Sequence, residues 1–344
     1  MKKSRLHLLP AKPFLFLLLL AGFANTSQAQ SDIVDDLLKE SKPKREYVGY
    51  TFKTTRVING HSVETVKKNC LDFRVVHRFG DIAVPGVSGH TLGGIDAATD
   101  ILLSLEYGIL DDLTVGVGRA QGAGSMRELY NGFVKYRALK QTTDFKIPLT
   151  ITLFGNAVIS SQKADPFDIS KTLKQQPFAA RMSYCLQAYL ACKATNWLSV
   201  QLTPSFLWRN YVAYNDQNYL FSLGISARAK VSKRTAILFE YFTPLQKPGS
   251  TYREYFGLVR GLKNAAFYPS LHLGVEFETG GHVFHINLTN TPGILENDFL
   301  AYNNRSWAQG QIRLGFTISR VFQLSRHARQ NSWGGGAEGK KKKS

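Results

Sequence analysis

Glu276 and His285 come closest, by type and spacing, to a metal-binding or proton-transferring pair. If Gly280-Gly281 forms a two-residue turn, the two side chains lie opposite each other on the polar face of a β-hairpin, with His272 and Asn287 nearby. A metal centre usually takes at least three protein ligands, and the spacing provides no third one. We therefore predict a hydrogen-bonded cross-strand pair and neither a metal nor a cofactor.

Ser270 and His272 have the spacing that a hydrolase nucleophile and its base would need on one face of a strand. They stand at the start of a predicted strand, and the sequence identifies no third residue that would orient the histidine. A membrane-embedded hydrolase is therefore the least favoured of three functions that we consider.

Charged side chains recur on the polar face of several predicted strands, and basic ones predominate. The candidates for this inward-facing set, besides His272, Glu276, His285 and Asn287, are Arg74, Arg78, Lys135, Arg137, Arg181, Arg228 and Arg313, with Asp72, Glu106 and Glu240 as acids. In an open pore such an excess would favour anions. In a narrow barrel the same charges could pair and fill the interior, and the sequence does not separate these two interpretations.

The elements that position these residues follow a secretion signal. Lys2, Lys3, Arg5 and Lys12 precede an apolar run at residues 14–24 and a small-residue stretch ending at Ala29. This order is typical of a cleaved signal peptide over residues 1–29. A run of about 11 apolar residues is too short to span a bilayer.

After residues 31–46, whose apolar residues fall at the spacing of a short amphipathic helix, apolar and polar residues alternate with period two almost everywhere, as in 71–79, 219–231 and 311–319. Such alternation predicts strands with one apolar and one polar face. The runs last about 9 to 15 residues, longer than typical strands of soluble proteins and long enough for tilted membrane strands. The pattern therefore predicts an all-β fold, a transmembrane antiparallel up-and-down β-barrel.

We predict twelve strands, whose connections alternate between short and long. Their ranges are 66–80, 100–109, 114–121, 127–140, 148–161, 179–193, 197–209, 218–231, 234–244, 269–278, 282–290 and 308–322. Residues 47–58 also alternate, but a thirteenth strand would break the even count. We place them in a periplasmic N-terminal segment, residues 30–65, as a lead-in or a piece packed against the barrel mouth; fourteen strands are the alternative. The barrel then covers residues 66–322, and the lysine-rich tail, residues 323–344, is predicted to be disordered.

The formal net charge of +18 first suggests nucleic-acid binding. About half of this excess lies in the predicted signal and tail, and the remaining charges are scattered among strands instead of grouped on a helix. We therefore predict no nucleic-acid partner. The expected partners are the lipid bilayer, lipopolysaccharide, the outer-membrane assembly machinery and small solutes.

Several segments resemble one known family: 77–80, 94–98, 105–108, 113–119, 130–137, 290–293 and 315–320. They are similar to Bacteroidetes barrel proteins catalogued as domain of unknown function 5777, over roughly residues 50–322. The resemblance implies a β-barrel in the outer membrane of a Gram-negative bacterium. Because this family has no assigned reaction or ligand, the resemblance implies no functional residues.

The sequence thus favours a pore or transporter for small solutes, with anions as one candidate class. The alternative is a plugged structural or interaction barrel that anchors periplasmic or surface partners.

Overall fold

The computed structural model describes residues 45–82, 92–124, 126–161, 178–212, 217–246, 268–301 and 303–324. Within these ranges, residues from Val48 onward belong to one compact unit. No described helix is both long enough and apolar enough to cross a membrane.

Twelve antiparallel strands close into a barrel, which confirms the predicted fold and strand number. They are β1 Cys70–Asp81, β2 Ala98–Leu110, β3 Leu113–Ala120, β4 Leu129–Leu139, β5 Thr150–Ser160, β6 Met182–Lys193, β7 Leu198–Arg209, β8 Tyr219–Lys230, β9 Thr235–Pro244, β10 Ser270–Thr279, β11 His282–Thr289 and β12 Arg313–Gln323. Each strand pairs with its neighbours in the sequence, and β1 pairs with β12 to close the sheet.

The two faces of the wall differ as the period-two pattern predicts. Along β5, for example, Thr152 and Asn156 are buried while Leu153, between them, is exposed. The exposed positions of the wall are rich in large apolar side chains, among them Leu105, Val134 and Ile286. A barrel that is apolar outside and polar inside is suited to a lipid bilayer.

The first and last strands differ from their predicted ranges. Strand β1 begins at Cys70 instead of residue 66, after a turn in which Asn69 has a positive φ of 59°. Strand β12 begins at Arg313 because residues 307–309 form a short 3-10 helix that ends at Gly310 in the left-handed conformation. Both ends of the barrel chain lie at the edge that carries the short turns, here called the short-turn end.

Residues 51–66, here called the plug, form no strand of the wall and lie inside the barrel. Apart from Lys53, every plug residue is buried. The plug folds back at residues 57–60, where Val57 N–H donates to Gly60 O at 2.9 Å, and Arg56 bridges to His61. Residues 51–65, which the sequence analysis placed in a periplasmic N-terminal segment as a lead-in or a piece packed against the barrel mouth, lie inside the barrel in the structure, because inward-facing wall side chains bond their backbone.

A second segment enters the barrel from the long-loop end. Residues 290–301, here called the inner loop, contain the short helix α1, Glu296–Phe299. Ile294, Leu295, Phe299 and Leu300 of this loop are buried against wall residues in two apolar clusters. A third cluster joins the plug to the wall and consists of Phe52, Val57, Ile58, Val63, Phe133, Phe154, Tyr189, Ala191 and Leu238.

Candidate luminal site

The tip of the plug is held by one carboxylate of the wall. Glu240, on β9, accepts hydrogen bonds from the backbone N–H groups of Ile58 at 3.1 Å, Asn59 at 2.8 Å and Gly60 at 3.3 Å. Its side chain is fully buried. Three converging N–H donors stabilise a buried carboxylate that would otherwise be costly to desolvate. Glu240 therefore fixes the depth of the plug in the barrel.

Other wall side chains hold the two arms of the plug. Lys135 Nζ, on β4, donates to the carbonyl oxygens of Thr55 at 3.1 Å and Glu64 at 2.6 Å. Gln201, on β7, accepts from Val63 N–H at 3.0 Å and donates to His61 O at 2.9 Å. These two residues lie three strands apart in the ring, and with Glu240 on β9 they hold the plug from several parts of the wall.

Charged groups cluster between the plug and strands β1 and β2. Arg74 Nη2 donates to Asp72 at 2.8 Å and to Thr55 Oγ1 at 2.8 Å. Arg56 of the plug lies 4.0 Å from Glu106 of the wall, and both side chains are buried. Basic and acidic groups thus balance one another in this part of the interior.

Arg78, on β1, connects the plug to another part of the wall. Its Nη2 donates to Asn59 Oδ1 at 2.5 Å, and its Nη1 donates to Asn287 Oδ1 on β11. Asn59 also donates to Gly293 O of the inner loop at 3.1 Å. These bonds bring the plug, the wall and the inner loop together at one point.

The predicted pair of Glu276 and His285 exists in the structure. The two residues are partners in the β10–β11 register, across the two-residue turn at Gly280-Gly281, and the carboxylate lies 3.3 Å from His285 Nε2. Arg228, on β8, donates to the same carboxylate at 2.6 and 3.0 Å. No cluster of three or more His, Cys, Asp or Glu side chains suited to a metal occurs among the described residues.

Ser270 and His272 do not form a hydrogen bond with each other, because each side chain bonds a different residue. Ser270 Oγ donates to Phe299 O of the inner loop at 2.5 Å, and His272 Nδ1 pairs with Thr289 Oγ1 at 2.7 Å. Both residues are buried. Their contacts are those of side chains that hold the inner loop and pair two strands.

The predicted site residues as a whole fall into two groups according to their exposure to solvent. Arg74, Arg78, Glu106, Lys135, Glu240, His272, Glu276, His285, Asn287 and Arg313 are buried in the interior, and Arg137, Arg181 and Arg228 are partly exposed. Arg181 lies in a short 3-10 helix before β6 instead of in the strand predicted there. Arg313 pairs with Asp81 at 2.9 Å near the long-loop end. Arg137 pairs with Asp112 at 2.7 Å at the short-turn end.

Sequence reasoning missed the polar groups of the plug and the inner loop. His61 is fully buried, with its ring 4.5 Å from that of Phe154 and 4.9 Å from that of Phe133. Glu296 accepts from Asn156 Nδ2 at 2.7 Å and lies 3.9 Å from His61 Nε2. The density of polar residues at 54–65 is the one signal that pointed to them, and it does not distinguish a solvated segment from a plug.

Asp298 of the inner loop is half-buried and lies close to Asp100 of β2. Asp100 accepts from Gly122 N–H at 2.8 Å and Ile294 N–H at 3.0 Å, and Asp298 accepts from Ala123 N–H at 3.4 Å. Burial, and then repulsion by Asp100, raise the pKa of Asp298 to about 8. The inner loop is therefore anchored by a carboxyl group that holds its proton at neutral pH.

Several buried polar atoms between the plug and the wall have no hydrogen-bonding partner within the described part of the chain. They include Nε and Nη2 of Arg56, both ring nitrogens of His61, both carboxylate oxygens of Glu106 and Nε2 of His272. Buried polar groups are nearly always satisfied by protein or by ordered water. The interface between plug and wall is therefore suited to hydration.

Comparisons with known proteins agree with the architecture. A family described as "Membrane bound beta barrel domain (DUF5777)" matches residues 52–322. Among solved structures, the chain is similar to a KdgM porin at 10% identity, covering 74% of this chain and 99% of that chain, with a TM-score of 0.42. A NanC porin is 10% identical, with 73% of this chain and 98% of that chain covered and a TM-score of 0.39. The COG4313 outer membrane channel from Pseudomonas putida F1 is 12% identical, with 76% of this chain and 98% of that chain covered and a TM-score of 0.40. No curated protein matches the chain.

Proposed function

The chain belongs to the DUF5777 family of membrane-bound β-barrel domains, and from this premise we propose that it is an outer-membrane channel for small polar solutes whose plug is the gate. The observation that carries the proposal is the polar interface between plug and wall. The plug is held by hydrogen bonds that link its backbone groups and the Asn59 side chain to four wall residues, Glu240, Lys135, Gln201 and Arg78. Water can replace each of these partners when the plug withdraws.

The charge balance at the level of the plug bears on the class of solute. Withdrawal would remove the plug partners of four wall cations, Arg74, Arg78, Lys135 and Arg137, and of three wall carboxylates, Glu106, Glu240 and Glu278. Among the described residues, an opened lumen would thus expose both charges in nearly equal numbers at this level, which favours neutral or zwitterionic polar solutes. So small a basic excess gives little support to the anion preference that the sequence analysis left open.

Conductance across a planar bilayer tests the gate. Replacing Glu240 by Ala removes the acceptor of three plug N–H groups, so we expect Glu240→Ala to open more often than the wild-type barrel. Asp144→Asn is the control, because it removes one carboxylate from an exposed turn outside the lumen. Equal open probabilities for folded wild-type, Glu240→Ala and Asp144→Asn barrels would contradict the proposal.

A second function, a permanently filled barrel that anchors other components, is favoured by the three apolar clusters inside the wall. Burying residues such as Phe52, Ile58 and Phe299 stabilises the filled state by about 1.5 to 3 kcal/mol each. This function predicts no conductance from either variant at any voltage.

A further inference from the structure

Arg119 is an unusual residue on the outer surface of the barrel. It occupies an outward position of β3, between Leu103 of β2 and Tyr130 of β4 in the strand register, and its side chain is exposed. The other outward positions of the fully described strands β2, β3 and β4 carry no charge. On these three strands the lipid-facing surface therefore carries one guanidinium group and no other charge.

This guanidinium lies in a concavity of about 400 Å³ on the outside of the wall. The concavity is lined by Ile101, Leu103, Arg119, Gln121, Arg127 and Glu128. Two apolar side chains thus form one part of it, and two guanidinium groups with one carboxylate form the rim. Such a surface is amphipathic, with its basic end toward the long-loop end of the barrel.

The chemistry of Arg119 indicates what should lie against it. A charge on the lipid face of a barrel costs free energy, and the cost falls toward the membrane interface. Phosphate oxygens match the planar donors of arginine and can accept two parallel hydrogen bonds. The guanidinium already lies 5.7 Å from the ring of Tyr130, which restricts its position without removing its donors.

We propose that this concavity binds a phosphorylated lipid of the outer leaflet, whose phosphate contacts Arg119 and Arg127 and whose acyl chain lies along Ile101 and Leu103. The binding site is separate from the lumen. It depends on the outer-membrane location in the proposed function, and not on solute passage, so failure of the conductance experiment leaves it intact.

Binding of diphosphorylated lipid A to the purified barrel, followed by native mass spectrometry, tests this site. The variant carries Arg119→Gln and Arg127→Gln together, and its folding is checked by gel migration without heating. We expect it to bind diphosphorylated lipid A at least about tenfold more weakly than the wild type, since charge-assisted hydrogen bonds are lost. Lipid A without phosphate should bind equally weakly to both proteins.

Arg320→Gln is the matched control. Arg320 is also outward-facing and stacks on an aromatic ring, that of Phe322 at 5.0 Å, but lies near the short-turn end. The Arg320→Gln variant should bind diphosphorylated lipid A as tightly as the wild type does. Equal loss in this control, or equal binding by the wild type and the double variant, would overturn the proposal. Inorganic phosphate that binds as tightly as the lipid would also overturn it, because the site would then be one for free anions.

Discussion

Glu276 shows how single side chains satisfy one another inside this barrel. Its carboxylate accepts hydrogen bonds from Arg228 of β8 and lies 3.3 Å from His285 Nε2 of β11, and its side chain is 3% exposed. Glu278, two residues further along the same strand, pairs with Lys53 at 2.6 Å but is 32% exposed. The two carboxylates belong to similar ion pairs in different surroundings.

We expect Glu276→Gln to lower the free energy of unfolding by about 3 to 5 kcal/mol, because it leaves Arg228 as a poorly compensated charge. Glu278→Gln should cost about 1 kcal/mol or less, since water screens the exposed pair. Urea-induced unfolding of the two variants in detergent micelles measures both values. If the two substitutions cost the same, the burial of the Glu276 pair has no energetic consequence.

At the scale of elements, the plug depends on close approach to the wall. A Cβ atom on Gly60 would lie 2.7 Å from Cζ of Phe242 and 3.1 Å from Oε1 of Glu240, whereas a Cβ on Gly49 would have no atom within 4 Å. Both glycines lie in or next to the same segment. Their different surroundings provide a matched pair of variants.

Gly60→Ala is expected to destabilise the inserted plug by about 1 to 3 kcal/mol through overpacking. Hydrogen–deuterium exchange of residues 51–66 should speed up in this variant and stay unchanged in Gly49→Ala. Unchanged protection in Gly60→Ala would show that Phe242 moves aside at no cost.

The inner loop should respond to pH through Asp298. Because its pKa in the folded protein is raised to about 8, its protonated form contributes stability that is complete below the usual value of 3.8 and is lost as the pH rises through 8. Proteolysis within residues 291–301 should therefore be faster at pH 9 than at pH 6. Asp298→Asn keeps a hydrogen-bond acceptor at this position but cannot become charged, so it should remove the difference between the two pH values. If this variant is still cleaved faster at pH 9 than at pH 6, another titrating group causes the pH dependence.

At the scale of the whole molecule, the closed ring of twelve strands pairs the first strand with the last. Closure leaves no unpaired edge, so opening one strand pair loosens the whole sheet. We expect the purified protein to migrate faster on a detergent gel before heating than after it. Identical migration would indicate a wall that is not closed.

Much of this wall could be predicted from the sequence. The period of two, the strand lengths and the alternation of short and long connections placed twelve strands within a few residues of their observed ends. The pairing of Glu276 with His285 followed too, because a two-residue turn determines the register of the hairpin beyond it. Strand positions and hairpin register are determined by residues close together in the sequence, so a single sequence is enough to predict them.

Only the tertiary structure decided what fills the barrel. Glu240 bonds the N–H groups of residues 58–60, about 180 positions earlier, and Asn59 reaches Gly293, more than 230 positions later. No periodicity connects a non-strand segment to a wall that surrounds it, and polar residues suit water and a polar lumen equally. The sequence by itself therefore determined a membrane barrel with a polar interior, while long-range contacts determined that a plug and a loop occupy it.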